Sequence, residues 1–406
     1  MTDQTHVIVG ASLAGASAAA ALRKQGFDGR IVLIGEEPER PYERPELSKK
    51  YLRGEPGTDV FVHPADFYAN QDIQLVTGAR VEHVDPRRHE VATARATYHY
   101  DRLLLATGTA PRALEVPGAE LDGVVSLRTM RDADGIRERA QAAQSIVVVG
   151  GGWIGSEVAA SLRQLGRDVA LVAPGAAPLQ RVLGPEVAEV YRAAHAENGV
   201  RLVLGTTVAA FRGSGRVDAV VTADGGVLRA GLVVVGIGAA PRTELAAAAG
   251  LELERGIVVD EHLETSVPGI FAAGDVADAW HPLFGHRLRV EHWDNAKRQG
   301  RAAAASMIGN GKAYDRIPYF YSDQYDLGME YTGYAPRWDE VVVRGDIDSR
   351  EFIAFWLAEG RVVAGMNVNV WDVAPAIERI VRSQVAIDRA RLADKGEPLE
   401  ELAPAA

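Results

Sequence analysis

SIVVVGGGWIGSEVAASLRQLG, residues 145–166, runs an apolar strand into three glycines and then into a helix-forming segment that stops at a glycine. Gly150, Gly152 and Gly155 complete the spacing G-x-G-x-x-G. In such a loop the first glycine permits the tight turn, the second lets backbone approach a pyrophosphate, and the third packs the helix close to the sheet. The same plan opens the chain. In VIVGASLAGASAA, residues 7–19, Gly10 and Gly15 hold the first and third places and Ser12 the middle one. Serine is small and can offer its hydroxyl to a phosphate, so it weakens the motif without cancelling it. Each copy leads to a second short strand, IVLIG at 31–35 and VALVA at 169–173, and Gly26 and Gly166 stand where a left-handed residue closes a helix. Strand, helix, strand at this length is the unit of a parallel sheet. One glycine loop is a weak signal. Two of them, about 140 residues apart and each in the right context, point to two bound nucleotides.

Three further segments end an apolar run in a glycine turn: LLLATGTAPR (103–112), LVVVGIGAAPR (232–242) and GIFAAGDVA (269–277). In open α/β sheets ligands sit at that strand edge. From about residue 316 the texture becomes aromatic and polar. There VVVRG, EFIAFWL and RVVAGMNVN read as antiparallel strands, followed by helical segments near 375–385 and 387–393, a small α+β domain.

At 406 residues the chain predicts two or three domains, and 47% hydrophobic with 24% charged residues is ordinary for a globular protein. A net charge of −11 argues against general nucleic-acid binding. With no membrane-length apolar run and no signal-like start after MTDQTH, the expectation is a cytoplasmic protein with no membrane association. The cysteine count is zero, which removes disulfides, thiol nucleophiles and cysteine-ligated clusters. Histidines show no ligand spacing, so no metal site is expected. Any redox chemistry here must use a bound organic cofactor.

Together PYERPELSK (41–49), LLLATG (103–108), SLRTMRDA (126–133), GGGWIGSE (150–157), FAAGDVA (271–277), EHWDNA (291–296) and FYSDQYD (320–326) make the chain resemble a known family over about residues 5 to 395. It is similar to the FAD-dependent ferredoxin reductases of bacterial oxygenase and cytochrome P450 systems, the family of putidaredoxin reductase and the biphenyl dioxygenase reductase component. The resemblance implies an α/β fold: two Rossmann-like nucleotide-binding domains arranged as in glutathione reductase, plus a C-terminal α+β domain. The implied boundaries are 1–111 with 242–315 for FAD, 112–241 for NAD(P), and 316–406 for the C-terminal reductase domain.

Residue roles follow from the same resemblance. Gly10, Ala14 and Gly15 hold the FAD pyrophosphate, and Glu36, at the end of the second strand, binds the adenosine ribose. Arg44, Val81 and Arg128 touch FAD, Val81 through its backbone; Arg128 has a plainer alternative as an ion-pair partner of Asp132 or Asp134. Lys49 points at the flavin, Asp275 holds the ribityl chain and phosphate, and Trp293 lies beside the ring. Gly150, Gly152, Ile154, Gly155 and Gly238 serve the nicotinamide nucleotide. Glu157, expected on its helix's first turn, orients the carboxamide and pairs with Lys49. Lys49, Glu157 and Trp293 are the expected catalytic residues.

The implied reaction is hydride transfer from NADH to FAD, with NADPH as a weaker donor. Ala173 stands where NADH-using relatives carry an acid, and residues 173–178 offer no arginine for a 2′-phosphate. Without cysteine, electrons must leave the flavin directly, and the resemblance implies a [2Fe-2S] ferredoxin as their acceptor. The acceptor is expected to dock near Lys297, Arg298 and Arg301, on a monomer or weak homodimer. Rubredoxin or quinone reduction, NADH oxidation, and a non-catalytic flavoprotein like apoptosis-inducing factor are the alternatives.

Overall fold

A computed structural model describes residues 3–403. By compactness the chain forms two units. The first takes the chain up to Glu43, Asp59–Ala110 and Ala240–Pro318; the second takes Arg44–Thr58, Pro111–Ala239 and everything from Tyr319.

The first unit is built on a five-stranded parallel sheet ordered Ile270–Ala272, Arg102–Leu105, Thr5–Val9, Arg30–Ile34, Ile73–Val76. Its three inner strands are apolar at their centres, as a sheet covered on both faces requires, whereas the edge strand Ile73–Val76 exposes Gln74. Val7, Ile8, Val32, Leu33, Leu103 and Leu104 are all fully buried. The helix Leu13–Lys24 packs on the helix Trp293–Met307 through small residues, so closely that a Cβ on Gly300 would fall 2.2 Å from the Ala14 carbonyl oxygen.

The second unit contains an equivalent parallel sheet, ordered Arg201–Leu204, Asp168–Ala173, Ser145–Val149, Leu232–Val235, Val124–Ser126. It also contains an antiparallel sheet ordered Tyr319–Gln324, Leu327–Gly333, Arg361–Val368, Glu351–Ala358, Glu340–Asp346. Trp356, Phe352 and Met366 of that sheet share one core with Leu183, Val187 and Tyr191 of the helix Gln180–Glu197. The C-terminal strands therefore do not form a compact unit of their own. The segment 44–58 also joins this unit, because Ser161 donates to the Ser48 carbonyl at 2.6 Å and Arg53 donates to Ser161 and Gln164 at 3.1 Å.

Buried histidines, His6 and His195 among them, set a pH dependence. His6 stacks on Phe27 at 3.9 Å and His195 lies in the second unit; burial pulls each down to about 4 from 6.5. The unfolded chain binds protons at these sites from pH 6.5 downward while the folded chain does not, so stability falls as pH drops from 6.5 to 4. Each site contributes up to roughly 3 kcal/mol of that loss. Thermal melts across this range should show the midpoint falling, and His6→Phe, which keeps the stack, should make the fall shallower. A variant with an unchanged slope would show that His6 protonates freely in the folded state.

Candidate nucleotide sites and the buried Lys49–Glu157 pair

In the first unit Gly10 turns with φ +114°, and its N–H donates to the Ile34 carbonyl at 2.8 Å, joining the glycine loop to the end of the second strand. Ser12 is the N-cap of the helix Leu13–Lys24 and makes no side-chain capping bond; the helix's first turn carries no acid. Its leading N–H groups thus keep their affinity for an anion. Ala14 and Gly15 are buried just inside. Glu36 follows the second strand and pairs with Arg242 at 2.7 Å and Arg80 at 3.6 Å. Val81 begins the strand Val81–Asp85 and is buried. Asp275 lies just past the C-terminal edge of the strand Ile270–Ala272. The Thr109 hydroxyl donates to its carboxylate at 3.1 Å, and Arg289 donates to its carbonyl at 3.2 Å.

Trp293 is the first residue of the helix Trp293–Met307, and Lys297 lies over its ring at 4.4 Å. Arg298 is held by both oxygens of Asp294 at 2.9 Å, an i,i+4 ion pair. Arg301 is exposed. Burial, followed by the charges of Arg301 and Lys297, lowers His63, so the field of these two cations is felt at that ring. Burial also pulls His292, the N-cap of the same helix, down to about 4, so it adds no charge at neutral pH.

In the second unit Gly150 turns with φ +111°, and Gly152 is the N-cap of the helix Trp153–Gln164, again without an acid in the first turn. A Cβ on Gly152 would meet nothing within 4 Å, whereas one on Gly155 would fall 1.9 Å from the Gly150 carbonyl oxygen. The loop is tight against its own helix and open toward solvent, which is the cradle a dinucleotide needs. Ile154 is 47% exposed, and Gly238 turns with φ +107°. Ala173 is buried, and its methyl lies 2.9 Å from where a Cβ on Gly151 would be, so residue 173 faces the loop.

Glu157 is the fifth residue of that helix, one turn beyond the uncapped N–H groups, which corrects the expectation that it sits on the first turn. It answers side chains instead. Its Oε2 accepts from Lys49 Nζ at 2.8 Å and from Ser48 at 2.5 Å, and its Oε1 accepts from Ser322 at 2.6 Å. Both charges are buried, at 4% and 3% exposure. Deleting either one strands the other at a cost of about 3–5 kcal/mol. Lys49 also donates to the Pro45 carbonyl at 3.0 Å and lies 5.7 Å from the Tyr321 ring. Arg44 donates to the Arg128 carbonyl at 2.5 Å. Asp132 accepts the backbone N–H groups of Arg128 and Thr129 in a capping box, so Asp132 is bound to Arg128 through the main chain. Ser48 and Ser322 escaped the sequence reading, although both lie inside motifs quoted above.

The model for pyridine nucleotide-disulphide oxidoreductases matches residues 4–300, and that for the reductase C-terminal domain matches residues 319–403. The chain belongs to the pyridine nucleotide-disulphide oxidoreductase family. This oxidoreductase is 40% identical to the ferredoxin–NAD(+) reductase component of the anthranilate 1,2-dioxygenase system of Burkholderia cepacia, over 97% of this chain and 98% of the other. It superposes on the ferredoxin reductase for the CYP199A2 system of Rhodopseudomonas palustris with a TM-score of 0.94 and 36% identity, covering 99% of this chain and 100% of the other. Against the covalent putidaredoxin reductase–putidaredoxin complex the TM-score is 0.95 at 37% identity, covering 99% and 98%. Among the described residues no helix is long and apolar enough to cross a membrane.

Proposed function

We propose that the protein is an FAD-dependent ferredoxin reductase, oxidising NADH and supplying electrons singly to a [2Fe-2S] ferredoxin that serves an oxygenase or cytochrome P450. The observation that carries this is a buried Lys49–Glu157 pair, its carboxylate on the helix behind a complete dinucleotide loop, in a chain of 406 residues without cysteine. Disulphide-reducing members of such a fold need a thiol pair, and here there is none to receive electrons. Bound FAD supplies the chemistry, accepting two electrons as a hydride and releasing them one at a time.

The chain's own residues then bind, orient and set charge. By this reading residues 1–111 and 242–315 hold FAD, 112–241 hold NAD(P), and 316–406 form the reductase domain. Gly10, Ala14 and Gly15 take the FAD pyrophosphate, Ala14 and Gly15 through the uncapped N–H groups of their helix, Glu36 takes the adenosine ribose and Asp275 the ribityl chain, with Arg44, Val81 and Arg128 as further FAD contacts. Gly150, Gly152, Ile154, Gly155 and Gly238 take the nicotinamide nucleotide, and Glu157 orients its carboxamide. Lys49, cationic and out of water, stabilises negative charge on the reduced cofactor. Trp293 stands beside the cofactor on the acceptor's side. The reading places the protein in the cytoplasm as a monomer or weak dimer.

The test is turnover of the purified yellow protein with a panel of [2Fe-2S] ferredoxins, against rubredoxin, quinone and dioxygen as competing acceptors. Ferredoxin should win. FMN released on denaturation, or no flavin at all, would sink the reading. NADH should be the better donor, with discrimination against NADPH roughly tenfold to a hundredfold poorer than a carboxylate at 173 would provide. Because residue 173 faces the loop, Ala173→Glu should raise the NADH preference. A wild-type enzyme that favours NADPH would assign the choice to an arginine instead.

Docking should depend on Lys297 and Arg301 more than on Arg298, whose charge Asp294 already offsets. Arg301→Glu should weaken ferredoxin reduction and flatten its salt dependence while leaving NADH-to-dye turnover unchanged. Arg298→Glu should do less. Equal loss in both assays would point to damage at the flavin rather than at a docking rim.

A further inference from the structure

FYSDQYD, residues 320–326, does more than supply Ser322. The Gln324 amide nitrogen lies 3.4 Å from the Ser322 hydroxyl oxygen, and the Gln324 oxygen lies 3.1 Å from His195 Nε2. His195 Nδ1 lies 3.0 Å from the Tyr325 hydroxyl. Ser322, Gln324 and His195 are all buried, and Tyr325 is half-buried. The outer end is fastened by Arg350, which pairs with Asp326 of the same motif at 3.2 Å and with Glu197 on the helix that carries His195.

A carboxylate accepts only, and that sets the direction of every link. Ser322 has one proton and gives it to Glu157, so its oxygen receives from the Gln324 amide. The Gln324 carbonyl is then left to receive from His195, which must carry its proton on Nε2. Nδ1 in turn receives from Tyr325. Burial keeps His195 neutral and raises Tyr325 above its ordinary value, so the links hold the protons this order needs. All four donate toward Glu157.

We propose that Ser322, Gln324 and His195 are positioning residues for Glu157, fixing its carboxylate through a one-directional hydrogen-bond chain that starts at Tyr325. Three donors already occupy Glu157: Lys49 and Ser48 on Oε2 and Ser322 on Oε1. Of about four acceptor sites on a carboxylate, one on Oε1 remains for an amide donor, held in a set direction. This inference rests on the reading of Glu157 as the residue that orients the nicotinamide carboxamide.

Two measurements on the full-length FAD-loaded protein test it. Nitrogen-15 NMR of the histidine rings should show His195 at pH 7 as the neutral Nε2–H tautomer, with its ring signals displaced in Ser322→Ala through the Gln324 amide that links the two residues. Rapid-reaction reduction by NADH should show the apparent affinity for NADH roughly threefold to tenfold weaker in Ser322→Ala and restored in Ser322→Thr, with the change absent in a Glu157→Ala background. An Nδ1–H tautomer or an imidazolium overturns the proposal, as does Ser322→Ala behaving like wild type. A Ser322→Ala effect that persists in Glu157→Ala overturns it too, while a Glu157→Ala variant that itself responds poorly to NADH leaves the underlying reading standing. If Glu157→Ala reduces normally with NADH, that reading falls and the proposal with it.

Discussion

Gly155→Ala is expected to lower kcat/KM for NADH by at least about a hundredfold while leaving FAD bound. The new methyl would sit 1.9 Å from the Gly150 carbonyl oxygen, a backbone atom of the loop itself, so the helix Trp153–Gln164 must move away from its strand. That shift displaces the uncapped N–H groups and carries Glu157 off Lys49, Ser48 and Ser322 together. Overpacking of this kind also costs about 1–3 kcal/mol of stability. The FAD loop uses Gly10 and Gly15 in the other unit, so flavin absorbance per mole of protein should match wild type. Steady-state kinetics with NADH, flavin content and a thermal melt check the three parts separately. Near-normal NADH turnover would mean that the second glycine loop is not the nucleotide site.

Asp275→Ala is expected to lose flavin without losing the fold. The turn around it is held by groups other than its carboxylate: Gly274 donates to Gln299 at 2.9 Å, and Arg289 holds the Asp275 carbonyl. Removing the carboxylate leaves the Thr109 hydroxyl without that acceptor but keeps the backbone in place. A charged hydrogen-bonded contact contributes about 1.5–3 kcal/mol, so FAD should bind roughly tenfold to a hundredfold more weakly. Apoprotein titrated with FAD, beside circular dichroism of the same sample, separates binding from folding. Unchanged affinity would show that Asp275 lies away from the cofactor, and unfolding of the apoprotein would show that its role is structural.

How much of this was legible beforehand depends on sequence distance. The paired loops Gly10–Gly15 and Gly150–Gly155, their strands and their helices are local patterns, because the φ of Gly10 and Gly150 and the close approach at Gly15 and Gly155 are demanded within one strand–turn–helix unit. The ion pair of Arg298 with Asp294 was also within reach, since i,i+4 residues share a helix face. The strands after residue 316 announced an antiparallel sheet, but not that it would share its core with Leu183, Val187 and Tyr191.

The sequence by itself determined two nucleotide folds, a third sheet, and a redox chemistry that cannot pass through a thiol of this chain, since each of these is written in local spacing or in composition. Only the tertiary structure decided that Ser48 and Ser322, 109 and 165 residues from Glu157, close on the same carboxylate, and that His195 stands behind them. The physical reason is burial. A serine, a glutamine or a histidine carries no sign in the chain of which acceptor it will meet. Once the apolar faces have packed, each buried polar group must find its partner among whatever segments the core has brought together.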